Sequence, residues 1–223
     1  MLSFSNVDFA YQAHQIFTDL NYRLEPGEFN FLIGRSGAGK STLLQMIYMN
    51  LFPNSGEVQV AGYDSKTIKP RDLPHLRRKV GIVFQDFKLL RDRNIYDNLS
   101  FVLEVTNTPG KEIKKRVNDA LTDVDLFHRR FGMPDELSGG EKQRIAIARA
   151  IINEPALVLA DEPTGNLDPE TSGEILEILM KIHARGTAVL FATHNYDIVK
   201  KFGDLKIVKL ENGKAVKAVL KQK

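Results

Sequence analysis

The chain has 223 residues, 43% of them hydrophobic and 26% charged, an ordinary composition for a soluble globular protein with one large domain or a core carrying one inserted subdomain. Its net charge of +3 is too mild to indicate nucleic acid and equally suits a nearby anionic membrane surface. The absence of cysteine excludes disulfides and thiolate metal sites, residues 1–6 lack the parts of a signal peptide, and no apolar run approaches the ~20 residues a membrane helix needs, so the expectation is a cytoplasmic chain.

In chain order, Leu2–Tyr11 and Asn21–Leu24 read as strands before the turn Glu25-Pro26-Gly27. Phe29–Ile33 is a short apolar run ending at the glycine-rich loop Gly34–Gly39. A helical pattern follows, with Leu43, Leu44, Ile47 and Leu51 on one face. Val80–Phe84, Ala156–Ala160 and Ala188–Ala192 are short runs flanked by polar residues, as expected of strands buried on both faces. Ile175, Leu179 and Ile182 share a helix face that Gly186 can terminate. Strands alternating with helices predict a mainly parallel sheet covered on both sides. From Asp86 to Ile152 the pattern is helical instead, with Ile113, Val117, Leu121 and Val124 at helical spacing and a further helix over Gly139–Ile152. The expectation is a nucleotide-binding α/β core from residues 1–85 and 153–223, with a helical subdomain at 86–152 inserted into it.

Gly34-Arg35-Ser36-Gly37-Ala38-Gly39-Lys40-Ser41 fits the P-loop pattern in full, between an apolar strand and a helix. Glycines let the backbone curl so that successive N–H groups face phosphate, and the helix N-terminus adds partial positive charge. Lys40 supplies a full charge to the β- and γ-phosphates of ATP, and Ser41 offers an oxygen to magnesium. Such a loop needs an acidic partner at the end of another buried strand. Leu157–Ala160 carries Asp161 and Glu162 to that position, where ligands bind in parallel sheets. Asp161 is the candidate magnesium residue and Glu162 the candidate general base for water. Taken alone, two adjacent acids also suit a plain turn. Pro163 should stop the strand. His194 closes the run Val189–Thr193, which would bring it to the same sheet edge and within reach of the γ-phosphate. On that placement alone a structural histidine is the commoner case.

Leu137-Ser138-Gly139-Gly140-Glu141, continued by Lys142-Gln143-Arg144, resembles the signature of ABC-type ATPases. Gln85 after an apolar strand is similar to that family's Q-loop, Asn166-Leu167-Asp168 to its D-loop, and His194 to its switch histidine. With the P-loop and the Asp161-Glu162 pair, six motifs fall in the family's order over nearly the whole chain. The resemblance implies a P-loop α/β core with a mainly parallel sheet, an N-terminal antiparallel β-subdomain and an inserted α-helical subdomain. It implies nucleotide contacts from Gly34 through Ser41 and from Thr42. It makes Glu162, His194 and Gln85 catalytic, and Ser41, Gln85 and Asp161 the magnesium set. Tyr11 falls where the family stacks an aromatic ring on adenine, although a strand tyrosine also suits a core. Two copies would sandwich two ATP molecules, each between one copy's P-loop and Ser138, Gly139 and Gly140 of the other.

Asp161-Glu162-Pro163-Thr164-Gly165-Asn166-Leu167-Asp168 resembles ABC ATPases whose membrane subunits act on the extracytoplasmic side, and Phe84–Leu90 is most similar to the cell-division branch. Arg91-Asp92-Arg93 departs from the proline-containing turn of that branch. This resemblance implies an FtsX-like integral membrane partner, attachment to the inner face of the cell membrane through it, and control of cell-wall hydrolases without cargo. Phe87, Leu89 and Leu90 either line the groove for the partner's short helix or pack between subdomains. Lipoprotein-releasing or macrolide-type exporters are the alternative within the family. A soluble ABC ATPase acting on DNA or ribosomes is the rival reading. No nucleic-acid partner is expected: Arg77-Arg78-Lys79 is a short basic run, and the 121 residues between Lys40 and Asp161 (161 − 40) leave no room for a long coiled-coil arm.

Overall fold

A computed structural model describes residues 1–202 and 205–218. β1 (Leu2–Tyr11) and β2 (His14–Leu24) form an antiparallel pair. β2 begins well before Asn21, where the sequence pattern places it, because a bulge hides its first half. Asn6 and Asp19 both take positive φ, 49° and 51°, and the Asn6 amide donates to Asp19 Oδ1 at 2.8 Å. The register slips there, so the buried residues of β2 run Phe17, Leu20, Tyr22, Leu24 rather than in strict alternation. β3 (Phe29–Ile33) is buried throughout and leads into α1 (Lys40–Ile47). β4 (Ser55–Val60) and the short β5 (Tyr63–Asp64) complete a four-stranded antiparallel sheet in the order β2-β1-β4-β5.

After α2 (Leu73–Arg78) comes β6 (Val80–Val83). Residues 84–156 then contain helices and turns and no strand. Asn94 caps α3 (Ile95–Val105) by accepting from the Asp97 N–H, α4 (Gly110–Asp123) follows, and Ser138 caps α5 (Gly139–Ile151). α5 sits hard against β6: a Cβ placed on Gly81 would stand 2.2 Å from the Ala150 carbonyl oxygen. β7 (Leu157–Asp161) returns to the sheet. α6 (Pro169–Ala184) starts under the Asp168 cap with proline in its first turn and is followed by Gly186 at φ 96°. β8 (Ala188–Thr193), α7 (Tyr196–Lys201) and the hairpin of β9 (Lys206–Glu211) and β10 (Lys214–Ala218) close the fold. The sequence pattern had not marked β4, β9 or β10. Polar and charged residues interrupt each of them, as suits strands with a solvated face.

The second sheet has the order β10-β9-β3-β8-β7-β6, parallel except for the β9–β10 pair. Its central strands feed two cores. Phe31, Ile33, Val158, Ala160, Val189 and Phe191 pack with α3–α6, whereas Leu32, Leu157, Leu159, Leu190 and Ala192 pack with α1 and the antiparallel sheet. Strand register aligns the C-terminal ends: Ile33 pairs with Thr193, and Asp161 with Ala192. The loops that begin at Gly34, Glu162 and His194 therefore leave the sheet side by side. No described helix is long and apolar enough to cross a membrane.

Candidate active site

The loop after β3 curls tightly. Gly37 and Gly39 lie at φ 78° and 97°, and a Cβ on Gly39 would stand 2.8 Å from side-chain atoms of Ile16 and Phe17. The Ala38 N–H donates to the Arg35 carbonyl at 3.1 Å and closes the turn. α1 starts with neither a side-chain cap nor an acidic residue in its first turn, so its leading N–H groups are left for an anion. The buried Lys40 ammonium donates to the Gly34 and Arg35 carbonyls at 3.0 and 3.4 Å and lies 3.3 Å from Glu162 Oε1. Ser41 Oγ donates to Asp161 Oδ1 at 3.4 Å.

β7 ends at Asp161, two residues before Pro163, because Glu162 already turns left-handed at φ 48°. The Glu162 N–H donates to the Ala192 carbonyl at 2.9 Å, which seats its carboxylate against β8. Glu162 Oε2 is 2.8 Å from His194 Nδ1 and accepts from the His194 N–H at 3.2 Å. One carboxylate thus faces the loop lysine with one oxygen and the histidine with the other. Burial raises the Asp161 carboxyl above its usual range and the Glu162 charge adds to this, against the lowering by Ser41 and Lys40.

A cavity of about 620 Å³ opens among these groups, lined by Gly37, Lys40, Ser41, Glu162 and His194, with Ser36, Gly39 and Thr42 beside them and Gln85 reaching in from the end of β6. His14 and Ile16 of β2 also line it. Neither was a candidate from sequence, since the bulge conceals that half of the strand and neither residue belongs to a motif. Tyr11 is absent from the lining. Its half-exposed ring packs edge-on against Phe9 at 4.9 Å, with its hydroxyl 3.5 Å from Thr42 Oγ1. Among the described residues no three His, Cys, Asp or Glu side chains converge as a metal cage. The Ser41 hydroxyl beside the Asp161 carboxylate fits Mg²⁺, which prefers one or two protein oxygens and fills its other positions with phosphate and water.

Ser138, Gly139 and Gly140 stand elsewhere. Ser138 Oγ accepts from the Glu141 N–H at 3.2 Å while Glu141 Oε2 accepts from the Ser138 N–H at 2.8 Å, a reciprocal cap. That backbone bond, with Arg129 nearby, holds the Glu141 carboxyl below its usual range. A Cβ on Gly140 would meet Thr171 of α6 at 2.6 Å. These residues open onto a separate cavity of about 440 Å³ with Asn166, Leu167 and Asp168, and the two cavities share no lining residue.

The family model for ABC transporters matches residues 17–165. The cell division ATP-binding protein FtsE of Streptococcus pneumoniae serotype 2 is 47% identical over 194 residues, 87% of this chain and 84% of that protein. The FtsE of Bacillus subtilis is likewise 47% identical over 194 residues, covering 87% and 85%. The chain belongs to the ABC transporter family. A solved ATP-binding cassette, dimeric in a post-hydrolysis state with ADP and Pi, superposes with a TM-score of 0.87 over 100% of both chains at 32% identity. This ABC protein is an ATP hydrolase with the P-loop fold of that family. Its own chain brings the P-loop, Glu162, His194 and Gln85 together and keeps the Ser138–Gly140 turn apart from them.

Proposed function

We propose that the chain is the ATP-driven, dimerising subunit of a cell-division membrane complex, with an FtsX-like integral membrane partner and cell-wall hydrolysis as its output. The observation that carries the dimer is the division of the site: two helix starts, at Lys40 and at Gly139, face different cavities of one copy. A second copy, related by a two-fold axis, would supply Ser138, Gly139 and Gly140 to the nucleotide on the first copy's P-loop. Residues 86–152 would then act as the subdomain that carries this turn.

Within each half-site the side chains divide the work. The loop amides and Lys40 hold the β- and γ-phosphates, Thr42 and Tyr11 flank the nucleotide, and Ser41, Asp161 and Gln85 hold the metal. Mg²⁺, when bound, neutralises charge on the phosphate oxygens. Glu162 takes a proton from the attacking water as the water oxygen bonds the γ-phosphorus and the bond to the β-phosphate oxygen breaks, leaving ADP and phosphate. His194 orients Glu162 and the γ-phosphate. Once the bridging phosphate is lost, the closed dimer has less to hold it. The similarity to FtsE over 87% of the chain supports the cell-division setting, and the absence of a described spanning helix suits attachment through a partner.

The test is the full-length Glu162→Gln variant with Mg-ATP. Turnover should fall about 10²–10⁴-fold while ATP stays bound and light scattering reports a dimer. Copurification of this variant from solubilised native membranes should bring an FtsX-like protein. Turnover near the wild-type rate removes Glu162 from the role; a lipoprotein-handling or exporter subunit in its place keeps the ATPase and overturns the cell-division setting.

A further inference from the structure

We infer that Arg149, in the last turn of α5, is the positioning residue for Gln85. Its guanidinium forks onto two consecutive carbonyls, donating from Nη2 to Phe87 at 2.7 Å and from Nη1 to Lys88. Those two residues are left-handed in succession, φ 59° and 51°, and neither is glycine. Side chains with a Cβ resist that conformation, and a pair of them persists where surrounding contacts impose it. The fork meets this need because both carbonyls are presented to one planar, rigid donor group.

A second tie follows. Asn98 of α3 accepts from the Leu90 N–H at 2.8 Å and donates to the Leu90 and Arg93 carbonyls, each at 3.0 Å. Between them, Arg149 and Asn98 fasten the backbone from Phe87 to Arg93 onto the helices. Among the described residues no side chain bonds the backbone of Phe84, Gln85 or Asp86, the short stretch left between β6 and the fork. Gln85 belongs to that stretch and lines the P-loop cavity. Backbone bonds from the Phe87 N–H to the Phe84 carbonyl at 3.3 Å and from the Lys88 N–H to the Asp86 carbonyl at 2.6 Å join this stretch to the clamped residues, so its reach is set by the sheet on one side and, through these turns, by Arg149 on the other.

α5 gives the fork a fixed seat, since its Ala150 carbonyl rests on Gly81 of β6. The same helix starts at the Ser138 cap, 11 residues from Arg149 (149 − 138), or about 16 Å at helical rise. One helix thus carries the Ser138 turn at its start and the support of the opposite site's glutamine at its end. This inference rests on the metal-holding role proposed above for Gln85.

The test compares MgATP hydrolysis and ATP binding in four full-length proteins: wild type, Arg149→Lys, Gln85→Ala and the double variant. Lysine keeps the charge and loses the fork. Arg149→Lys should lower kcat about 10- to 100-fold with KM within about twofold, as small misplacements of a positioned group do. Gln85→Ala should lose at least as much, and the double variant should be no slower than Gln85→Ala. Full additivity in the double variant makes Arg149 merely structural and overturns the inference, as does an unchanged kcat in Arg149→Lys while Gln85→Ala is slow. An unchanged kcat in Gln85→Ala overturns the role of Gln85 itself and the inference with it. Site-resolved hydrogen exchange on the wild type needs no variant. The Phe87 amide, bonded to the Phe84 carbonyl at 3.3 Å in the turn that the fork holds, and the Leu90 amide, bonded to Asn98, should exchange slowly and those of Gln85 and Asp86 fast; exchange at Phe87 and Leu90 as fast as at Gln85 overturns the clamp.

Discussion

Glu162 is engaged before any phosphate arrives, with one oxygen toward Lys40 and the other toward His194. Nucleotide must therefore compete for the lysine. Glu162→Gln weakens that competitor by removing its charge, so ADP, which needs no hydrolysis to reveal its affinity, should bind more tightly to this variant in calorimetric titration; equal or weaker binding would show that the ion pair does not oppose nucleotide. Burial raises the pKa of Asp161, so ionising its carboxyl costs more in the folded chain than in the unfolded one. The folded state is thus penalised at pH 7, where the unfolded chain ionises freely, and the penalty fades as the pH falls through the raised value toward the ordinary 3.8. Without nucleotide, Asp161→Asn should melt higher than wild type at pH 7, with the gap closing toward pH 4. Mg-ATP should reverse the order, because wild type alone keeps the carboxylate for the metal. A lower melting temperature for Asp161→Asn at pH 7 without nucleotide would refute the penalty.

Among the elements, α5 has the most legible start. Ser138→Ala deletes the acceptor of the Glu141 N–H and should cost about 1 kcal/mol. For a chain of this size that lowers Tm by about 2–4 °C, readable by scanning calorimetry on the nucleotide-free protein. No change in Tm would mean water replaces the cap fully. The P-loop, the acid pair and the signature turn are all readable from sequence because each is a short local run whose residue types dictate its backbone. What escaped was non-local or irregular. The first half of β2 is masked by Asn6 and Asp19 leaving strand geometry together, and with it His14 and Ile16. The amphipathic strands β4, β9 and β10 lack the continuous apolar runs of the buried ones. Phe87 and Leu89, open between a partner groove and internal packing on sequence grounds, are partly buried against the helical core. Arg149 carried no mark at all, since nothing local shows that its guanidinium will find the carbonyls of residues 61 and 62 positions earlier.

At the scale of the whole molecule, the central strands contribute alternate side chains to the two cores. Phe31 and Leu32 are neighbours in sequence and sit in different interiors, as do Val158 and Leu159. The parallel sheet is a party wall: neither room can be emptied without exposing the plaster of the other. Heating should accordingly produce a single calorimetric transition whose van't Hoff and calorimetric enthalpies agree, whereas two resolved transitions would mean that one room stands alone. The same wall limits how the sequence can drift, because a one-residue slip of β3, β7 or β8 exchanges every tenant between the rooms at once. Loss of register in a single strand would therefore be felt simultaneously at the antiparallel sheet and at the helices, far from the strand that slipped.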